Sequence, residues 1–215
     1  MIIYILVTLS ISVAAFINLS PQFGSNPTQD QKRLYANYSN YKNGEFQNAE
    51  EFVMMTGDMP LSEFFKSDSN RIPNKDLIHE TIDLESFVNA EDHKIKISWL
   101  GHSAFILNIN GNILLLDPML GQYAAPVPLP SLKRYSSKIA FSIDDIDIID
   151  AVIFSHDHYD HLDYSTVKQI KNKVKMFFVP YGVANHLKGW GVRQESIIEL
   201  NWDESANFNG IEIVC

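Results

Sequence analysis

Cysteine is nearly absent: the chain has one, Cys215, at its last position. No disulfide can close within a single chain, so cysteine usage says nothing about the redox compartment. Basic charge is scarce too. Lys and Arg number 17 against 26 Asp and Glu, a formal net charge of −9. There is no basic stripe, and a nucleic-acid backbone, which needs clustered Lys and Arg, is excluded as a partner on that ground. Charge of either sign is missing from Met1 to Ser20. That stretch is apolar from Ile2 to Ile17, diluted by Thr8, Ser10 and Ser12. It approaches the ~20 residues of a single membrane crossing. Residues 1–19 therefore read as an uncleaved anchor, or as a secretory signal with Ser12-Val13-Ala14 as a small-residue cleavage site. No basic residue precedes the run, which favours the anchor. Either way the protein is expected to be membrane-anchored or exported, with residues 1–19 as its membrane contact.

What the chain does have is apolar mass. At 215 residues and 46% hydrophobic content it can build one domain with a sizeable core. Residues 20–93 are mostly polar or irregular and read as a linker and N-terminal arm. Helical spacing shows only around Phe52, Val53, Met54 and Phe64. The domain proper is expected over 94–215. Ile95, Ile97 and Trp99 alternate with Lys96 and Ser98, which predicts a half-buried strand. Ala104–Ile109 and Asn112–Leu116 predict two more, joined by the hairpin dipeptide Asn110-Gly111. Ile148–Phe154 reads as a buried strand, followed by a helix from Tyr164. Phe177–Pro180 and Ile197–Leu200 are further strands, with a short helix around His186. Strands and helices alternating after a hairpin predict an α/β sandwich.

One stretch carries chemistry. Ser155-His156-Asp157-His158-Tyr159-Asp160-His161-Leu162-Asp163 packs three histidines and three aspartates into nine residues. It follows a buried strand directly, where ligands can be presented on a rigid support. His156 and His158 are two apart and share one side of an extended backbone. Asp160 and His161 follow on the turn. Imidazole and carboxylate suit zinc, iron or manganese, and the stretch offers no thiolate. The spacing predicts a two-ion site, with His156 and His158 on one ion and Asp160 and His161 on the other.

The run His156-Asp157-His158-Tyr159-Asp160-His161 resembles the H-x-H-x-D-H signature of metallo-β-lactamase-fold hydrolases. Trp99-Leu100-Gly101-His102-Ser103 and Leu114-Leu115-Leu116-Asp117-Pro118 resemble the branch containing N-acylphosphatidylethanolamine phospholipase D and its bacterial homologues. The segment Ser20–Gly24 is similar to the bacterial members. The resemblance implies an αββα sandwich, of which this chain holds the N-terminal half and the start of the second. It implies a metal-dependent hydrolase with two ions, zinc first, and a metal-activated water. Asp160 is the expected catalytic residue. Asp117 and His102 are expected to support the ligands rather than bind metal. The implied substrate is a lipid phosphodiester, or another small molecule. A lactone or β-lactam hydrolase, and a membrane-anchored metal-binding module without catalysis, are the alternatives.

Two further expectations complete the reading. Residues 121–137, rich in Pro126, Pro128 and Pro130, form a loop expected over the metal mouth, where Lys133 and Arg134 either meet an anionic substrate group or are solvated. The family pattern also adds a histidine, an aspartate and a last histidine downstream of the motif. After His161 only His186 remains, in a helical context unsuited to a ligand. The chain is therefore expected to stop before its remaining metal ligands.

Overall fold

The computed structural model describes residues 1–48, 50, 57, 60, 72–77, 79–89, 94–136 and 138–215. The helical spacing expected around Phe52, Val53, Met54 and Phe64 lies outside the described residues. Two compact units emerge. One takes in Met1–Ser25 and Leu77–Cys215, the other Asn26–Asp76.

The larger unit begins with helix α1, Ile2–Leu19, which has no acidic residue in its first turn and no basic residue in its last. Its apolar side chains face outward; Ile3 is 74% exposed and Leu9 59%. The membrane crossing expected of residues 1–19 is not met here: among the described residues no helix is long and apolar enough to cross a membrane. The smaller unit holds α2, Gln29–Tyr35, started by a capping box of Thr28 and Gln31. It also holds the hairpin of β1, Tyr41–Lys42, and β2, Glu45–Phe46. Tyr35, Tyr41 and Phe46 form its aromatic cluster, with centroids 4.9–5.6 Å apart.

Back in the larger unit, α3 spans Leu84–Val88 and buries Phe87 in the main core. Asn108 ties it down, donating through Nδ2 to the Phe87 carbonyl at 2.7 Å. The unit that contains residues 94–215 thus also draws in residues that composition assigns to the arm. A six-stranded sheet follows. Its strands are β3 (Ile95–Gly101), β4 (Ala104–Ile109), β5 (Asn112–Leu116), β6 (Ile149–Ile153), β7 (Val174–Pro180) and β8 (Ile197–Leu200). β3, β4 and β5 pair antiparallel; β5 through β8 pair parallel. The hairpin turn at Asn110-Gly111 has both residues at positive φ, 51° and 79°. Helix α4, Tyr164–Ile170, follows β6, and α5, Ala184–Gly189, follows β7.

The strands alternate between two cores. Ile113, Leu115, Val152, Phe177 and Val179 face α4 and α5. Leu114, Ala151 and Phe178 face the other way, onto the hairpin of β9, Ser205–Phe208, and β10, Ile211–Val214. The order helices, sheet, hairpin is a mixed α/β layering around a central sheet. It gives three of the layers expected for an αββα sandwich.

One strand inverts the expected pattern. Ile95, Ile97 and Trp99 are 63%, 61% and 64% exposed, while Leu100 is buried. β3 is the edge strand, and its apolar stripe lies on the hairpin face of the sheet, beside Leu107. Alternation identifies a strand but does not say which face finds a partner.

Candidate metal centre

Strand register decides which loops meet. Leu116 at the end of β5 pairs in parallel with Ile153 at the end of β6. Leu116 also pairs with Phe105, near the start of β4. Three things therefore converge at one sheet end: the turn at His102, Asp117 after β5, and the histidine loop after β6.

Asp117 is buried and holds a left-handed φ of 42°. Its Oδ1 accepts the Ser155 N–H at 2.7 Å. Its Oδ2 accepts the Ser155 hydroxyl at 2.6 Å and lies 2.9 Å from His161 Nδ1. Acceptor-only carboxylate oxygens require the proton of His161 on Nδ1, which leaves Nε2 a free lone pair. Ser155 spends its single hydroxyl proton on Asp117. Its oxygen therefore accepts from His156 Nδ1, 2.9 Å away. His156 is fixed in the same tautomer, with Nε2 open. Both imidazoles are thus held with an open Nε2 lone pair. Burial lowers the His156 pKa, and the neighbouring His161 and His158 lower it further, which also favours the neutral form.

The rings cluster. His156 lies 4.0 Å from His161 and 4.5 Å from His158, centroid to centroid. Asp160 Oδ2 is 3.8 Å from His161 Nε2 and 2.9 Å from His102 Nε2. Among the described residues, the ligand atoms of His102, Asp160 and His161 all lie within 4.8 Å of one another. One divalent cation fits those imidazole and carboxylate donors, and His161 is already oriented for it by its outer partner. The structure puts His102 Nε2 in contact with Asp160 Oδ2, the place a residue supporting that carboxylate would take. Its turn is tight: His102 has a φ of 48°, and its carbonyl accepts Trp99 Nε1–H at 2.8 Å.

The third aspartate of the motif caps a helix. Asp163 accepts from Ser165 N and Thr166 N at the start of α4, and from Gly121 N at 2.9 Å. Leu120 N also reaches Thr166 Oγ1 at 3.0 Å. A Cβ on Gly121 would lie 2.5 Å from Asp163 Oδ2, so a larger residue there would have to displace the capping carboxylate. Arg134 folds back on its own loop, with Nη2 on the Met119 carbonyl at 2.5 Å. Its guanidinium is part-buried rather than a free surface cation, while Lys133 is exposed. The proline-rich segment contains a 3-10 turn at Pro130–Leu132 and a bridge between Tyr123 and Lys133.

A cleft of about 470 Å³ opens on the loop. His158, Tyr159 and Asp160 line one side, and Gln22, Phe23 and Trp190 line another. Asp157 faces His186, whose Nε2 lies 3.8 Å from Oδ2. That imidazole holds the Asp157 carboxyl below its ordinary value, against the opposing effect of burial.

The sequence profile of the beta-lactamase superfamily domain matches residues 112–215. The match runs from the start of β5 to the last residue. The histidine loop, the end of β5 and the helices after β6 and β7 all fall inside the matched residues. The chain is 37% identical over 123 residues to an uncharacterized protein of Mycobacterium tuberculosis, covering 57% of this chain and 33% of that one. It is 30% identical over 183 residues to the N-acyl-phosphatidylethanolamine-hydrolyzing phospholipase D 1 of Caenorhabditis elegans, covering 78% of this chain and 51% of that one. It is 30% identical over 120 residues to a metal-dependent hydrolase of Sulfurisphaera tokodaii, covering 55% and 47%. The chain thus spans between 33% and 51% of the length of these relatives.

Within the matched residues, Ser155 is the residue that sequence reasoning left without a role. The signal was present but non-local. It stands two places after Ile153, whose parallel partner Leu116 precedes Asp117.

Proposed function

We propose that the protein is a metal-dependent hydrolase that cleaves a phosphodiester of a lipid with metal-activated water. The observation that carries this is the tautomer lock: Asp117 and Ser155 together leave His156 and His161 with open Nε2 atoms beside Asp160. His156, His158, Asp160 and His161 would hold the metal, with His102 adjoining. Zinc, as two ions, suits this donor set best, and manganese or iron share its chemistry. A bound divalent cation supplies Lewis acidity, polarising the scissile bond and acidifying water from a pKa of about 15.7 toward 7.

The chain's own groups do the rest. Asp160 presents a carboxylate oxygen at the cleft, where it accepts a proton of the attacking water and aims its lone pair. His102 Nε2, 2.9 Å from that oxygen, fixes the carboxylate's orientation. Tyr159 and Trp190 line the cleft beside it. The lipid assignment is supported by the similarity to the worm phospholipase, which extends over 78% of this chain. It is also supported by α1, whose uncharged, outward-facing apolar surface suits contact with a membrane and would hold the cleft at a lipid surface.

Headgroup release from vesicles of N-acyl phosphatidylethanolamine, measured on the zinc-loaded full-length protein, tests the reading against lactone turnover. About two ions per chain are expected, and the pair His156→Ala, His158→Ala is expected to lose at least one. Lactone turnover without headgroup release would move the substrate to the alternative class. Bound zinc without turnover of any ester, diester or lactone would reject catalysis.

A further inference from the structure

Of the five residues Pro21–Ser25, Gln22 and Phe23 line the cleft, and the others hold them against its far side. Pro21–Phe23 form a 3-10 turn closed by Gly24 at φ 77°. The Pro21 carbonyl accepts Trp190 Nε1–H at 2.6 Å. Ser25 N–H donates to His186 Nδ1 at 3.0 Å. Because Nδ1 accepts, the His186 proton sits on Nε2, the atom that faces Asp157. A backbone amide is thereby connected through one imidazole to the aspartate between His156 and His158. The seat is tight: a Cβ on Gly24 would stand 1.9 Å from His186 Nδ1, and one on Gly189 would stand 2.2 Å from Ser25 Oγ.

This anchoring delivers Phe23 to the cleft. Phe23, Ala124, Leu162 and Trp190 supply its apolar wall, while His158 and Asp160 supply its polar end. Phe16, near the end of α1, meets Phe23 edge-on with centroids 5.4 Å apart. The apolar wall of the cleft is thus continuous with the outward-facing apolar helix. A cavity with one ligand-bearing end and one aromatic end fits a molecule built the same way.

We propose that the strap Pro21–Ser25 is the tail-binding wall of the substrate site, with Phe23 seating the alkyl or acyl chain of an amphiphilic ester or phosphodiester whose head faces Asp160. This rests on the hydrolase reading and adds a specificity-determining residue to it. Phe23 acts by contact with the apolar chain and takes no part in bond breaking.

Calorimetry with non-hydrolysable phosphonates tests the strap without turnover. Decylphosphonate, kept below its micelle concentration, and methylphosphonate are titrated into the zinc-loaded full-length protein. The parent is expected to bind the decyl compound at least tenfold more tightly. Phe23→Ala is expected to lose about tenfold for decylphosphonate and nothing for methylphosphonate. Phe23→Leu is expected to keep most of the preference. Phe23→Gln keeps a side chain of similar reach but makes it polar and is expected to lose the preference, which separates the apolar contact from folding. A parent indifferent to chain length, or a Phe23→Gln protein with the parent's preference, overturns the proposal. A chain-length preference seen in a protein that hydrolyses nothing would count against the hydrolase reading alone.

Discussion

Replacing Asp117 by asparagine changes almost nothing in shape and a great deal in proton bookkeeping. The left-handed backbone at φ 42° is tolerated by asparagine, so the turn survives. The amide oxygen can still accept the Ser155 N–H, now 2.7 Å from Oδ1. The amide nitrogen then stands where Oδ2 now meets the Ser155 hydroxyl and His161 Nδ1, at 2.6 and 2.9 Å. It is a donor, so Nδ1 must become an acceptor and the His161 proton must move to Nε2. That consumes the lone pair meant for metal. The Ser155 hydroxyl likewise loses its acceptor, and the tautomer of His156 is no longer dictated. Loss of such outer partners weakens metal binding by about 10- to 100-fold. The expected change in Kd is therefore ~1.4–2.8 kcal/mol. Exchanging a charge-assisted hydrogen bond for a neutral one costs folding about 1 kcal/mol; Asp117 accepts three, and burying a neutral amide instead of a carboxylate offsets part of the loss, leaving about 2 kcal/mol. For a chain of this size that lowers Tm by roughly 4–8 °C. Competition against a chromophoric chelator gives the zinc affinity, and a thermal melt gives the stability. Asp117→Ala serves as the comparison; it adds about 1 kcal/mol of left-handed strain. An Asp117→Asn protein with the parent's zinc affinity would refute the tautomer argument outright.

Asp163→Ala removes the α4 cap and the anchor of Gly121 together, and is expected to cost about 2–4 kcal/mol in denaturant unfolding while leaving zinc stoichiometry unchanged. Phe177→Ala, at a fully buried position, is expected to cost about 3–5 kcal/mol, whereas Ile97→Thr on the exposed stripe of β3 stays within about 0.5 kcal/mol of the parent.

These effects divide along a line that also separates what was legible in the chain from what was not. The strands at 104–109, 112–116 and 197–200 were readable because alternation, an Asn-Gly turn and apolar runs are local signals. The histidine loop stood out for the same reason: its histidines and aspartates are neighbours in the chain. The facing of β3 was not, because period 2 is identical for a strand packed on either side. Ile97 pairs with Leu107, yet it is 61% exposed, and it is not part of the core that Leu107 packs against. Apolar composition likewise marked residues 1–19 without saying what they would touch.

The residues that orient the loop's histidines and Asp160 come from distant places, and local pattern cannot find them. Ser155 meets Asp117 only because β5 and β6 run parallel with Leu116 beside Ile153. His102 meets Asp160 only because β4 starts at the same sheet end where β5 and β6 finish. His186 has the wrong chain context for a ligand, and its role is different: it links Ser25, 161 positions away in sequence, to Asp157. The histidine loop is consequently gripped on two sides by independent devices. Asp117 and Ser155 fix the ring protons from the sheet side, through strand register. The strap and His186 reach Asp157 from the cleft side, through tertiary contact. Mutations that share no partners are expected to add. Asp117→Asn and Phe23→Ala should therefore change zinc affinity and chain-length preference separately, and a double mutant that departs from the sum would mean that the strap and the sheet act on the metal loop as one device.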